Sequence, residues 1–235
     1  MLRPLAESID AYRIWHKVTF QRGRVLRTAD SAWEAFDHPG NYTEPERFFG
    51  GGRRIPELNL GREVATRLAD VTSFSFPTLH PIDGYPYSET NLAAGRIYRR
   101  RQAAHAPVAV LSHGWAHGGL RALEVLYVEP LLKAGFSVAL LSHPFHFERT
   151  PAGTYSGELM VSGDVVLTVE AFRQSVADLM GLINHLRDTG SRTVGLIGYS
   201  LGGYLAALVA CLREDLAFVV VGAAGGSIEI GRAHV

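Results

Sequence analysis

The sequence reads Ile197-Gly198-Tyr199-Ser200-Leu201-Gly202-Gly203 at its most informative point. Five of these residues have the spacing Gly-x-Ser-x-Gly, which is typical of a serine on a sharp turn between a strand and a helix. A short apolar run, 193–197, comes before the turn and predicts a buried strand. A run rich in alanine and leucine, 204–213, follows and predicts a helix. This context makes Ser200 a candidate nucleophile.

The chemistry of such a turn explains its residue types. The turn strains the backbone of Ser200 and projects its hydroxyl from the end of the strand. Gly198 and Gly202 have no Cβ, so strand and helix can approach closely. The N-terminus of the helix adds partial positive charge beside an oxyanion that forms there. The alternative is a tight turn whose serine is chemically inert.

The composition indicates a globular protein with a sizeable core. The chain has 235 residues, 47% of them hydrophobic, and a formal net charge of zero. This balance excludes disorder and gives no indication of a nucleic-acid partner. Cys211 is the only cysteine, and His113 and His117 lack converging carboxylates, so we expect no disulfide, no metal site and no cofactor. No apolar run is long enough to span a bilayer, and residues 1–19 lack a signal-peptide core, so we expect a cytoplasmic protein.

The order of the predicted elements indicates an α/β fold. Two apolar runs, 70–79 and 91–101, predict an N-terminal antiparallel hairpin. From Pro107 onward, strands alternate with helices, which predicts a mostly parallel sheet. The predicted strands are 108–112, 136–141, 194–197 and 216–221, and the predicted helices are 120–134, broken near Pro130, 168–187 and 204–213.

Residues 1–69 have the weakest pattern. Short helices are predicted near 11–20 and 31–36. We interpret 1–69 as an N-terminal helical extension and 70–228 as the main domain, which is an incomplete one. The extension either packs on the main domain or covers the site as a cap, and the sequence leaves both open.

Three predicted strands end in residues that can carry chemistry. The strand 108–112 is followed by His113-Gly114-Trp115-Ala116-His117-Gly118-Gly119, and the strand 136–141 by His143-Pro144-Phe145-His146. The strand before the turn ends at Ser200. Ligands of such sheets bind at the carboxyl ends of the strands, so we expect the three ends to line one crevice.

Several residues near these strand ends are candidates for a pocket. His143, His146 and Arg149 stand at the beginning of the long segment before the helix 168–187. They either contact a substrate or pack the loop, and both alternatives stay open. Tyr199, next to the candidate nucleophile, is a further possible pocket residue.

Residues 70–228 resemble an α/β-hydrolase. The Gly-x-Ser-x-Gly turn, the His-Gly-Trp loop and the order of strands and helices all match that superfamily. The segment from His143 to Glu158 also resembles a branch of α/β-hydrolase-domain proteins with a long N-terminal extension. The resemblance implies a serine hydrolase that cleaves an ester, thioester, lactone or amide bond in a small-molecule acyl substrate.

The resemblance also implies roles for individual residues. Ser200 attacks the carbonyl carbon, and water releases the acyl-enzyme. Backbone N–H groups hold the oxyanion, one from Leu201 and one from Trp115, with Ala116 as the rival of Trp115. His113 is expected to brace the loop and not to act as the base, because the base follows the nucleophile in this fold. Two alternatives to a hydrolase are an acyltransferase and a non-catalytic hydrolase-fold binding protein.

The end of the sequence lacks the expected partners of Ser200. The only acids after it are Glu214, Asp215 and Glu229, and the only histidine is His234. Residues 229–235 can be encoded by GAG ATC GGA AGA GCA CAC GTC, the beginning of a common sequencing adapter. We therefore interpret 229–235 as an artefactual tail on a fragment, do not assign His234 as the base, and expect the polypeptide as written to be inactive. Recovery of the genomic locus tests this.

Overall fold

The fold is built on a seven-stranded mixed sheet. A computed structural model describes residue 36 and residues 39–50, 53–101, 103, 105–115 and 119–224. The strands are β1 (Asn59–Ala65), β2 (Ala69–Pro77), β3 (Leu92–Arg100), β4 (Val108–Ser112), β5 (Ser137–Ser142), β6 (Val194–Tyr199) and β7 (Val219–Gly222), in the spatial order β1-β2-β3-β5-β4-β6-β7. The neighbouring pairs β1–β2, β2–β3 and β3–β5 are antiparallel, whereas β5, β4, β6 and β7 run parallel to one another. The predicted α/β architecture is confirmed.

Helices cover both faces of the parallel strands. They are α1 (Pro39–Thr43), α2 (Pro45–Phe48), α3 (Leu120–Leu123), α4 (Glu129–Lys133), α5 (Val165–Asp188) and α6 (Leu201–Cys211). Along β5, Val138 and Leu140 join the core cluster of α3 and α4, whereas Ala139 and Leu141 join that of α5 and α6. Successive strand residues point to opposite faces, so β5 is buried on both sides.

The predicted hairpin is confirmed as β2 and β3, which pair from Ala69 opposite Arg100 to Pro77 opposite Leu92. The sequence did not predict β1, an edge strand that pairs with β2. Every residue of β1 is exposed, so it lacks the alternation of polar and apolar residues that marks a half-buried strand. The sheet therefore begins before residue 70, within the predicted N-terminal extension.

The described part of the N-terminal extension packs on α5. Arg173 of α5 donates from Nε to the Phe48 carbonyl oxygen at 2.8 Å, and its guanidinium lies 4.4 Å from the centre of the Phe48 ring. Arg53 donates to the carbonyl oxygen of Leu79 at 2.5 Å. These contacts attach Phe48 and Arg53 to the main domain, and whether the rest of 1–69 packs or caps the site stays a prediction. The helix predicted over 11–20, and that over 31–36 except for Phe36, lie outside the described residues.

The break predicted near Pro130 takes the form of a π-helical turn, Glu124–Val128, between α3 and α4. The Glu129 N–H donates to the carbonyl oxygen of Glu124, five residues earlier. Pro130 has no N–H to donate, so a regular α-helical ladder is interrupted at this point.

The segment between β5 and α5 is held by its own hydrogen bonds. Gly157 donates its N–H to the Phe145 carbonyl oxygen at 2.6 Å, and Phe147 donates its N–H to Ser156 Oγ at 3.1 Å. Phe145 and Phe147 have φ values of 63° and 50°, in the left-handed region that aromatic residues rarely adopt. Phe145 is fully buried. The segment is therefore a folded turn attached to the core.

Candidate active site

Ser200 is the single residue between β6 and α6, and its backbone is strained. Its φ is 54° and its ψ is −123°, a combination that costs a non-glycine residue roughly 1–3 kcal/mol. The Ser200 N–H donates to the Gly222 carbonyl oxygen at 2.8 Å, and its own carbonyl oxygen accepts from the Tyr204 N–H at 3.1 Å. Hydrogen bonds to β7 and α6 thus hold the strained turn that the sequence predicts.

The glycines around Ser200 are required by close backbone contacts. A Cβ on Gly198 would lie 2.6 Å from the Gly202 carbonyl carbon and 2.7 Å from Gly203 Cα. A Cβ on Gly202 would lie 2.5 Å from the His113 carbonyl oxygen. The first contact confirms the close approach of strand and helix. The second shows that Gly202 also lets α6 approach the end of β4.

Leu201, one of the two predicted oxyanion donors, is the first residue of α6. Within the described residues its N–H has no hydrogen-bond acceptor, as is usual in the first turn of a helix. The free N–H and the partial positive charge of the helix N-terminus suit the stabilisation of a negative oxygen beside Ser200. The role of Leu201 as a donor stays a prediction.

Trp115, the other predicted donor, lies in the loop after β4 and is half-buried. Its indole N–H donates to the Gly157 carbonyl oxygen at 2.6 Å, which ties this loop to the segment after β5. The rival donor Ala116 lies outside the described residues, together with His117 and Gly118.

Three buried histidines meet beside this loop. The ring centroid of His113 lies 4.5 Å from that of His143 and 4.8 Å from that of His146. His113 Nδ1 is 2.8 Å from the Gly114 carbonyl oxygen, and its Nε2 accepts the His143 backbone N–H at 3.1 Å. His146 Nδ1 lies 2.9 Å from the Pro144 carbonyl oxygen. These rings are inside the protein and do not line an open crevice.

His143 is held in its neutral form. Its Nε2 lies 2.9 Å from Ser112 Oγ, while its Nδ1 is buried and has no hydrogen-bond partner among the described residues. Burial lowers the pKa of His143 well below its ordinary value, and electrostatic interactions with His146 and Arg149 lower it further. This environment suits a structural histidine.

Arg149 is fully buried and bound by the protein itself. Its guanidinium donates to the Ser142 carbonyl oxygen at 3.0 Å and to the Thr90 carbonyl oxygen at 2.5 Å, and it lies 3.1 Å from Asp178 Oδ2. Burial lowers the pKa of Arg149, against the opposing effect of Asp178. Burial also disfavours the charged form of Asp178 and so raises its pKa. Asp178 accepts hydrogen bonds from Thr78 and Leu79. His143, His146 and Arg149 are therefore all buried and hydrogen-bonded within the protein, and their contact with a substrate stays a prediction.

Tyr199 is the one predicted pocket residue that is exposed, with 41% of its surface accessible. Its ring centroid lies 5.8 Å from that of Tyr127, which the π-helical turn carries to the same place. Burial raises the pKa of Tyr127, and the neighbouring Tyr199 adds to the effect. Tyr127 was not predicted from the sequence, because the π-helical turn that places it has no simple sequence signature.

The described acids after Ser200 lie at the end of the sheet opposite to Ser200, so they are not placed to assist it. Asp215 is bound by Arg213, with contacts of 2.9 and 2.7 Å, and this hydrogen bonding lowers its pKa. Ala217 donates to the carbonyl oxygen of Val194, at the beginning of β6, whereas Ser200 follows its end. Among the described residues no hydrogen bond reaches the Ser200 hydroxyl. Glu229 and His234, like all of 225–235, lie outside the described residues.

The described residues contain neither a metal-binding cluster nor a membrane-spanning helix. No group of three or more histidine, cysteine, aspartate or glutamate side chains is arranged to hold a metal ion there. None of the helices in this part of the chain combines the length and the apolar character needed to cross a bilayer.

Comparison with known proteins identifies a family and a relative whose sequences are similar to this chain. The sequence profile of a family described as "Alpha/beta hydrolase domain containing 18" matches residues 90–224, a range that includes Trp115, Ser200 and Leu201. The uncharacterized protein MT2702 of Mycobacterium tuberculosis (strain CDC 1551 / Oshkosh) is 35% identical over 209 residues. The match covers 85% of this chain and 50% of MT2702, so the chain spans half the length of this relative.

Solved structures share the fold at low sequence identity. An acetyl xylan esterase from Paenibacillus sp. R4 is 13% identical, with a TM-score of 0.53 over 77% of this chain and 57% of that protein. A cold-adapted esterase from an Arctic intertidal metagenomic library, in a PEG-bound complex, is 16% identical, with a TM-score of 0.51 over 69% of this chain and 64% of that protein. The likeness confirms the predicted α/β-hydrolase fold.

Proposed function

This chain belongs to the alpha/beta hydrolase domain containing 18 family, and from that membership we propose that it carries the nucleophile of a serine hydrolase. The observation that carries the proposal is the conformation of Ser200, at φ 54° and ψ −123° between a strand and the free N-terminus of a helix. A strained backbone persists only where the surrounding structure enforces it, and such positions cluster at functional sites.

The proposed reaction begins with attack of Ser200 Oγ on a carbonyl carbon. The new C–O bond converts the carbonyl oxygen into an oxyanion, which the N–H groups of Leu201 and Trp115 stabilise. The serine proton passes to a base, and collapse of the oxyanion expels the leaving group and forms the acyl-enzyme. Residues 201–224 contain no histidine, so we assign no base within them.

The substrate class is a small acyl compound with an ester, thioester, lactone or amide bond. Esters are the first class to test, since both fold neighbours named above are esterases. The aromatic surface of Tyr199 and Tyr127 beside Ser200 can pack against an apolar acyl or leaving group.

A fluorophosphonate probe tests the nucleophile directly. The natural gene product that contains this chain is incubated with the probe, and the labelled peptide is identified by mass spectrometry. We expect labelling at Ser200, none in Ser200→Ala, and normal labelling in the matched control Ser191→Ala, which changes a serine in the turn after α5. Labelling that persists in Ser200→Ala would refute the assignment.

A non-catalytic binding protein is the second candidate, because no hydrogen bond reaches the Ser200 hydroxyl among the described residues. Hydrolysis of a p-nitrophenyl ester by the same gene product separates the two. Turnover that Ser200→Ala abolishes supports the hydrolase. Ligand binding without turnover or labelling supports the binding protein. Acyl transfer is recognised if an added alcohol acceptor, and not water, receives the acyl group.

A further inference from the structure

A cavity away from Ser200 lies between the sheet and the helices α3 and α4. Its volume is about 180 Å³, and its walls come from the turn 66–68, from Val71 and Tyr98 of the sheet, and from the helical segment 121–132. Tyr98 pairs with Val138, the second residue of β5, whereas Ser200 follows the last residue of β6. Because β5 and β6 run parallel, the cavity lies toward the opposite edge of the sheet from Ser200.

The floor of this cavity is apolar. Val128 and Leu132 belong to the buried core cluster on this face of the sheet, and Leu68 and Val71 pack against the same cluster. The Tyr98 ring is almost fully buried beside them. An apolar chain placed on this floor would therefore be removed from water, which favours binding.

The two acids that line the cavity are paired with arginines. Glu124 accepts hydrogen bonds from the Tyr98 hydroxyl and the Arg96 guanidinium, each at 2.9 Å. Arg121 donates to the second oxygen of Glu124 at 3.3 Å and lies 3.9 Å from the Glu129 carboxylate. The charges of Arg96 and Arg121 therefore balance those of the two glutamates.

Arg67 is the remaining charged residue of the cavity wall. It lies in the exposed turn between β1 and β2, and it forms no ion pair with a carboxylate among the described residues. Its neighbour Thr66 uses its hydroxyl within the turn, where it donates to the Ala69 carbonyl oxygen at 2.6 Å. The cavity thus combines an apolar floor with one surplus positive charge at its solvent-facing side.

We propose that this cavity binds a monocarboxylate with a short apolar chain, whose carboxylate pairs with Arg67 and whose chain lies over Val71 and Val128. A guanidinium binds a carboxylate through two parallel N–H donors, and one surplus charge matches a monoanion. A cationic ligand would instead meet Arg67, because both acids of the wall are already paired. This binding site goes beyond the proposed function and does not depend on Ser200.

A series of ligands tests the chemistry of the site. Isothermal titration calorimetry is done with butanoate, hexanoate, hexan-1-ol and hexylammonium on the natural gene product that contains this chain. We expect hexanoate to bind more tightly than butanoate, by about fourfold for each additional buried methylene. Hexan-1-ol and hexylammonium should bind more weakly than hexanoate. Absence of hexanoate binding, or equal binding of hexylammonium, would overturn the proposal.

Arg67→Gln tests the charge. This variant should weaken hexanoate binding by about tenfold and leave hexan-1-ol binding unchanged, because only the carboxylate uses the guanidinium. The matched control is Arg62→Gln, which changes an exposed arginine of β1 outside the cavity and should leave both affinities unchanged. Hexanoate binding that is equally tight in wild type and Arg67→Gln would refute the role of Arg67.

Val71→Phe tests the cavity itself, since the larger side chain fills it. We expect this variant to lose binding of both hexanoate and hexan-1-ol, and retained binding would count against the site. Because Arg67 is exposed, Arg67→Gln still decides the matter if Val71→Phe folds poorly.

Ser200→Ala shows whether the acid binds at this cavity or at the candidate active site. We expect this variant to bind hexanoate as wild type does. Loss of binding in Ser200→Ala would assign the acid to the candidate active site and overturn the present proposal. Failure of the fluorophosphonate probe to label Ser200 would bear only on the proposed function, so the two failures are distinguishable.

Discussion

His143 combines complete burial with a ring nitrogen that has no partner among the described residues. Its other nitrogen binds Ser112 at the end of β4, next to the loop that carries Trp115. A proton on this ring would introduce a charge beside His146 and Arg149, inside the protein. At the scale of one residue, the candidate site therefore has beside it a buried histidine that must stay neutral.

This environment predicts a loss of stability in mild acid. Folding lowers the pKa of His143 below its ordinary value of 6.5, so below that pH the unfolded chain binds more protons than the folded chain. The free energy of unfolding then falls as the pH drops, by at most about 1.4 kcal/mol per pH unit from one histidine. Urea unfolding at pH 5.0 to 7.5 measures this slope.

The control is His143→Gln, which keeps an amide near Ser112 but does not titrate. We expect a shallower dependence on pH for this variant over the same range. Identical slopes for wild type and variant would assign the acid sensitivity to other groups.

At the scale of elements, the approach of α6 to β4 positions both halves of the candidate oxyanion site. Leu201 lies in the first turn of α6, and Trp115 follows β4. Gly202 is the point of contact, since a Cβ there would meet the His113 carbonyl oxygen at 2.5 Å.

Gly202→Ala is therefore expected to push α6 away from β4. Overpacking of this kind costs roughly 1–3 kcal/mol of unfolding free energy, and we also expect slower fluorophosphonate labelling of Ser200. The matched control is Gly222→Ala, whose Cβ would make an ordinary 3.5 Å contact with Tyr199. Equal destabilisation of the two variants in urea unfolding would contradict the role of this contact.

At the scale of the whole molecule, the Arg149–Asp178 ion pair joins distant parts of the chain. Arg149 binds carbonyl oxygens at the end of β5 and before β3, and Asp178 of α5 binds the chain just after β2. Both side chains are fully buried, at 3.1 Å from each other. The pair therefore links the carboxyl edge of the sheet to its long helix.

Arg149→Met is expected to destabilise the protein by about 3–5 kcal/mol, because it leaves Asp178 buried without a counter-charge. The double variant Arg149→Met/Asp178→Asn removes that charge and keeps an acceptor for Thr78 and Leu79. We expect it to be more stable than Arg149→Met alone, as measured by urea unfolding in a double-mutant cycle. Additive losses would show that the two residues act independently.

Much of this architecture could be predicted because the signals are local. The turn at Ser200, the buried strand 108–112 and the hairpin each show in a few consecutive residues. β1 was not predicted, because none of its side chains is buried and it therefore lacks an alternating apolar pattern. The ion pair of Arg149 with Asp178 could not be predicted, because the partner lies 29 residues later and such a distant pair has no signature in the sequence.

Phe145 occupies a position at which few single substitutions are acceptable during evolution. Its left-handed backbone favours glycine, whereas its fully buried ring fills volume that glycine would leave empty. Asparagine tolerates the backbone but brings a polar amide into an apolar site. Each single replacement thus solves one problem and creates another, so an exchange at this position requires a compensating change among its neighbours, such as Tyr87, whose ring packs edge-on against it.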